Sequence, residues 1–150
     1  MPGRSHLTAT VLVGVLVVGG CGFGAVDVAP FQPEPGSERA CAALLDALPE
    51  VVSDAVRRDV EPASDHAAAW GDPPVVLRCG VPLPAEYRRD AQLLDVDGVG
   101  WFPVDGEGGT FFTASDYEPY VEVAIPDDYA PEAEVLADLA TAIESTIPAR

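Results

Sequence analysis

A chain of 150 residues with 25 acidic side chains, 8 arginines and no lysine carries a formal charge of −17. Its length allows one hydrophobic core rather than two. So negative a surface repels phosphate backbones and anionic headgroups, which excludes nucleic acid as a partner and leaves solubility as the plainest use of the acids.

The first element in chain order is a targeting segment. Arg4 supplies a short basic start, and residues 7–20 carry no charge and end in Val18-Gly19-Gly20-Cys21. The run is shorter than the about 20 apolar residues that span a bilayer, and it fits a signal-peptide h-region. An aliphatic residue, two glycines and a cysteine resemble a bacterial lipobox, in which the cysteine is diacylated and becomes the mature N-terminus. An ordinary secretory signal and an uncleaved anchor are the alternatives, although no A-x-A-like site precedes Cys21. Two acyl chains suffice for stable anchoring where one does not. The expectation is a signal peptide over 1–20, lipidation at Cys21, and residence on the extracytoplasmic face of the cell membrane.

Residues 21–37 follow as a tether rich in Pro and Gly, semi-extended where the prolines sit. At about 3.1 Å per residue it would hold a domain spanning 38–150 as far as ~50 Å from the bilayer. Ser37 is placed to cap a helix running to Leu48 and stopped by Pro49. Cys41, Leu44, Leu45 and Leu48 share one face of it. Residues 51–61 are ambiguous between helix and strand, and the reading leans to a strand over 55–61. Residues 70–74, Trp-Gly-Asp-Pro-Pro, form a turn. Residues 75–79 then read as a strand with Val75, Leu77 and Cys79 on one face and Val76 and Arg78 on the other. Cys41 and Cys79 therefore both face the apolar interior, and outside the cytoplasm such a pair is expected to be a disulfide.

Residues 91–96 and 99–104 are strand-like, with Asp97-Gly98 suited to a tight turn between them. Residues 110–114 return as a hairpin after the glycine-rich loop 105–109. Residues 120–125 alternate, with Val121, Val123 and Ile125 inward. Pro131 opens a last helix whose buried face holds Val135, Leu136, Leu139, Ala140, Ile143 and Ile147. This order predicts a two-layer α+β domain: an antiparallel sheet of four to five strands with both helices on one face.

The run from Trp70 to Pro74, followed by Leu77-Arg78-Cys79-Gly80-Val81-Pro82, resembles an uncharacterised actinobacterial family of secreted lipoproteins, domain of unknown function three-five-one-five. Cys41 with Leu48-Pro49, Arg57-Arg58, Trp101 and residues 121–126 are similar to the same pattern. The resemblance covers nearly all of the mature domain and implies location and fold unit. It supplies no activity and no catalytic residues.

Candidate chemistry is sparse. His66 stands beside Ser64 and Asp65, but a triad needs convergence in space and there is no G-x-S-x-G element. Asp95, Asp97, Asp105 and Glu107 fail the calcium-loop pattern, because Gly98 comes too early and Val99 takes a ligand position. The arginine pairs Arg57-Arg58 and Arg88-Arg89 could recognise a carboxylate or phosphate, with ion pairing to neighbouring acids as the plainer reading. Residues 99–104 carry large apolar side chains on both faces, and one helical layer covers only one face. Trp70, Arg78, Trp101, Phe102 and Val104 are accordingly the candidate interaction surface, unless loops 62–74 and 105–109 fold over it. No catalytic residue, metal or cofactor is expected. The functional expectation is a non-catalytic envelope binding or assembly module with an envelope protein or cell-wall ligand as partner; the alternative is a small envelope enzyme acting on cell-wall material through carboxylates.

Overall fold

The computed structural model describes Met1 and residues 24–150, so the signal segment and Cys21 lie outside the described residues. Among the described residues no helix is long and apolar enough to cross a membrane. The elements in order are β1 (Val26–Asp27), α1 (Glu38–Ala47), β2 (Val51–Val52), β3 (Ala55–Arg58), β4 (Val60–Glu61), β5 (Ala67–Trp70), β6 (Val75–Cys79), β7 (Leu94–Val96), β8 (Val99–Gly106), β9 (Gly109–Ala114), β10 (Val121–Pro126) and α2 (Ala133–Thr146). The fold is α+β. Eight strands form one sheet in the order β2-β3-β5-β6-β10-β9-β8-β7, every neighbouring pair antiparallel.

The expected four to five strands were too few for a physical reason. β5 is the run Ala67-Ala68-Ala69-Trp70, buried at every residue. Alanine carries no strand preference and no alternation, so only its pairing with β6 makes this segment a strand. β2 is two residues long and closes on β3 through Ser53-Asp54, both at positive φ. That turn is held from outside the hairpin: the Ser53 N–H donates to Asp138 Oδ2 of α2 at 2.8 Å. Residues 51–61 are thus strand, interrupted by the Ser53-Asp54 turn and again at Asp59 between β3 and β4.

The helices share the inner face. α1 buries Cys41 and Leu44, and α2 buries Val135, Leu136, Leu139, Ala140, Ala142 and Ile143. They meet Val75, Leu77, Val121, Val123, Ile125, Val99 and Trp101 in one core, which is the alternation expected for β6, β10 and β8. Cys41 and Cys79 are bonded within that core, with their Cα atoms 5.6 Å apart. Ser37 does precede α1, but its hydroxyl donates to Glu34 O at 2.6 Å and caps no helical N–H.

The outer face departs most from expectation. Loops 62–74 and 105–109 only edge it and leave Phe111 36% exposed. The segment read as a tether covers part of it from Val26 onward. β1 pairs in parallel with β4, and Val26 and Val28 bury themselves with Ala67 and Ala69 while Phe31 and Val76 pack alongside. Glu34 N–H then donates to Gly80 O at 2.8 Å, closing the strap over the sheet. Small side chains on β5 leave room for this extra layer, and the strap's own N–H groups find Asp59 O and Glu61 O.

Two glycines fix the corners of this arrangement. Gly71 sits at φ +72, and a Cβ there would lie 2.0 Å from the hydroxyl of Tyr129, which donates to Pro73 O at 2.9 Å. Gly80 sits at φ +84, and a Cβ would meet Ser37 Oγ at 2.8 Å.

Reducing the Cys41–Cys79 bond should lower stability by about 2–5 kcal/mol without changing the native contacts. Denaturant unfolding with and without reductant measures this, and free thiols in the native protein would contradict the fold. A second expectation is alkaline. Burial pushes the phenols of Tyr117 and Tyr129 above 10.0, helped by Glu144, Asp116 and Asp95 around the first and by Asp72 and Asp128 around the second. Their folded values are raised, so the stability they contribute is complete below the unfolded phenol value and is lost as pH rises through the raised folded ones. Urea unfolding followed from pH 8 to 12 should show a decline that starts only above about pH 10.

Candidate functional site

The candidate surface splits between core and face. Trp70 and Trp101 are both 0% exposed. Trp70 Nε1 donates to Pro49 O at 2.9 Å, and the Arg57 guanidinium lies 5.9 Å from its ring centre. Trp70 therefore pins the chain leaving α1, and neither tryptophan belongs to an interaction surface. The Gly-Asp-Pro-Pro run that follows gives Trp70 the local signature of a turn residue. Trp70 is the last residue of β5, and its side chain points into the core.

Arg78, Phe102 and Val104 do lie on the outer face. Arg78 is already paired: Nε donates to Glu122 Oε1 at 3.0 Å, Nη2 donates to the same oxygen, and the guanidinium stacks 5.5 Å from the Phe31 ring centre. The register explains this, because Glu122 of β10 stands opposite Arg78 of β6. Phe102 is met edge-on by Tyr87, with ring centres 5.3 Å apart. Tyr87 belongs to the segment between β6 and β7, which crosses the outer face at its lower end, taken as the end where β9 stops and β10 starts. Thr113 and Ser115 lie buried with hydroxyls that find no partner among the described residues.

Between the strap and this crossing segment the face stays open. Phe31 forms one wall, and Val81, Leu83 and Pro84 form the other. Val104 and Phe111 make the floor, and the Arg78–Glu122 pair sits at one end. The concavity holds about 430 Å³. Phe111 is 36% exposed although it lies in a central strand. The groove thus combines the expected Val104 of β8 and Arg78 of β6 with Phe31 and the Val81–Pro84 wall, which carry no local sequence signal of a site. Phe31 was hidden by its proline-rich surroundings.

The remaining candidates separate cleanly. Arg57 donates to Leu45 O and Leu48 O at the C-terminus of α1, where a cation meets the negative end of the helix dipole. Arg58 donates to Gly71 O and Gly24 O and lies 3.9 Å from Asp72. Both are structural ties. Arg88 and Arg89 are exposed and line a second concavity at the lower end of the sheet. His66 is half-buried, its backbone N–H donates to Ser64 Oγ at 3.1 Å, and its Nε2 is covered and unpartnered among the described residues. Asp95 and Asp97 sit at one end of β8 and Asp105 and Glu107 at the other, so the four carboxylates do not converge. Among the described residues no group of three or more His, Cys, Asp or Glu side chains could hold a metal.

The Arg78–Glu122 pair is partly buried, with side chains 24% and 14% exposed. Removing only the carboxylate leaves an unpaired cation against Phe31. Glu122→Gln should therefore cost about 1–3 kcal/mol, and Arg78→Met with Glu122→Leu should recover most of the loss. Chemical denaturation of the two variants beside the wild type tests this; equal losses for the single and double variants would mean that the pair is not the source.

No characterised protein and no solved structure is detectably similar to the chain. A family model does match. It covers residues 6–150 under the description "Protein of unknown function (DUF3515)", and the chain belongs to that family.

Proposed function

We propose that the protein is a lipid-anchored envelope lipoprotein of an actinobacterium, acting on the extracytoplasmic face of the membrane as a non-catalytic binding module. Its ligand is an extended apolar segment of an envelope partner, seated in the groove between Phe31 and the Val81–Pro84 wall. The observation that carries this reading is the groove itself. Its floor is a central part of the sheet, where an apolar side chain such as Phe111 is ordinarily covered. A concavity of about 430 Å³ is the size of a specific pocket, and its one charged feature is an already neutralised pair. Apolar walls with a satisfied polar end suit an uncharged chain better than a charged one.

The strap also bears on anchoring. With Val26 paired to β4, only residues 21–25 would separate a lipidated Cys21 from the folded domain, about 18 Å when fully extended. The lipid would hold the domain close to the bilayer rather than at the end of a long tether.

Two measurements test the proposal. Cys21→Ala should move the protein out of the detergent phase or leave it as uncleaved precursor, and an unmodified mature N-terminus at another residue would refute the anchor. For the groove, a photo-crosslinker placed at Leu83 should capture one envelope component. Val104→Asp should reduce that product by about tenfold, equivalent to ~1.4 kcal/mol, while the disulfide and the unfolding midpoint are retained. Undiminished capture by a folded Val104→Asp variant would place the ligand elsewhere.

A further inference from the structure

The lower concavity carries an inference independent of the groove. Seven arginines follow Cys21 against 25 acids, and three of them, Arg88, Arg89 and Arg150, line one hollow of about 600 Å³. Such clustering on a molecule of charge −17 needs a cause, because each of these cations could have been spent on a separate acid. From this clustering and the hydroxyl groups beside it, we propose that the hollow is a binding site for a phosphate group on a small ligand.

Two of the three arginines, Arg88 and Arg89, make no ion pair among the described residues. Arg88 Nη1 donates to Ala85 O and Tyr87 O, each at 2.9 Å, so two carbonyls fix its guanidinium while its charge stays available. Arg89 makes no hydrogen bond or ion pair among the described residues. Arg150 is brought in by backbone bonds: its N–H donates to Asp116 O at 2.8 Å, next to the bridge between Tyr117 and Ala149. Its guanidinium stacks 5.3 Å from the Tyr120 ring centre, donates to the Tyr120 hydroxyl and meets Glu118 at 3.2 Å in an exposed pair. Having accepted that bond, the Tyr120 hydroxyl keeps its own proton to give. Asp116 is the opposing charge in the lining.

Ser115 is the second, separate observation. It is 4% exposed, it lines the same hollow, and its Oγ has no partner among the described residues. A buried hydroxyl without a partner costs stability unless something completes it. Guanidinium groups from two chain segments with hydroxyls beside them match a tetrahedral anion that accepts several bonds, and arginine is the residue suited to it. The overall charge repels polyanions, so the ligand carries one phosphate or few.

A phosphate could belong to a soluble ester or to a lipid headgroup. The geometry favours the soluble source. Gly24, where the chain arrives from Cys21, is bonded to Arg58 beside Gly71, before the start of β6, whereas Tyr120 O accepts from Gly80 N–H just past its end.

The test uses the full-length protein in neutral detergent, titrated calorimetrically with sodium phosphate at constant ionic strength. In a parallel arm, micelles doped with phosphatidylglycerol replace the phosphate. Saturable binding is expected with phosphate, weakened about tenfold by Arg89→Gln and unchanged by Arg39→Gln, a control on the exposed side of α1. Binding confined to the doped micelles and lost in Arg89→Gln would keep the site and assign it to a headgroup. Ser115→Ala separates a ligand donor from a structural residue: it should weaken phosphate binding several-fold while leaving the free protein as stable as before or more so. Absence of saturable binding in both arms, or equal weakening by Arg39→Gln and Arg89→Gln, would overturn the proposal.

Discussion

Everything distinctive in this molecule depends on one constraint: a wide sheet that is apolar on its inner face and partly apolar on its outer one, with helices enough for only the first. α1 and α2 seal the inner face and, with the Cys41–Cys79 bond, lock it. The outer face then needs cover from chain that has no regular structure of its own. Two such segments serve. The strap runs from Val26 to Glu34, and the crossing segment carries Tyr87 over Phe102. They meet where Glu34 bonds to Gly80 and diverge beyond it, and the groove is the gap between Phe31 and the Val81–Pro84 wall. Opening and cover thus have a common origin, which is why the groove's walls come from irregular chain and its floor from β8 and β9.

The inner face was legible in the sequence and the outer face only partly so. Alternation at Val75, Leu77 and Cys79 and at Val121, Val123 and Ile125 is a local signal, and the helix stripes are local too, so the core and the disulfide followed from them. The strap gave no such signal. Its prolines and glycines have the composition of a linker, and it becomes part of the fold only because Ala67 and Ala69 leave space and β4 offers an unpaired edge. β5 was invisible for the complementary reason, since three alanines say nothing about pairing. Trp70 misled through its position before a Gly-Asp-Pro-Pro turn. The chain does turn there, but only after the indole has entered the core.

Charge sorts the arginines by what the acids leave undone. Arg57 serves carbonyls at a helix end, Arg58 ties Gly24 to the Gly71 turn, and Arg78 neutralises Glu122 beneath Phe31. Each of these is satisfied within the fold, so the sequence-level reading of paired arginines as an anion site applies to only one of its two cases. Arg88 and Arg89 are alike in sequence to Arg57 and Arg58, but they lie on a segment without a ladder partner, where no helix end or facing strand claims them. What separates a structural arginine from an available one here is the neighbouring backbone, and that is a property of the tertiary fold alone. Arg39 on α1 is likewise without an acid partner among the described residues, but it stands apart, whereas Arg88 and Arg89 are adjacent and the buried Ser115 hydroxyl beneath their segment also lacks a partner. The crossing segment therefore separates two openings of opposite character, with Leu83 lining both: an apolar groove above and a cationic hollow below.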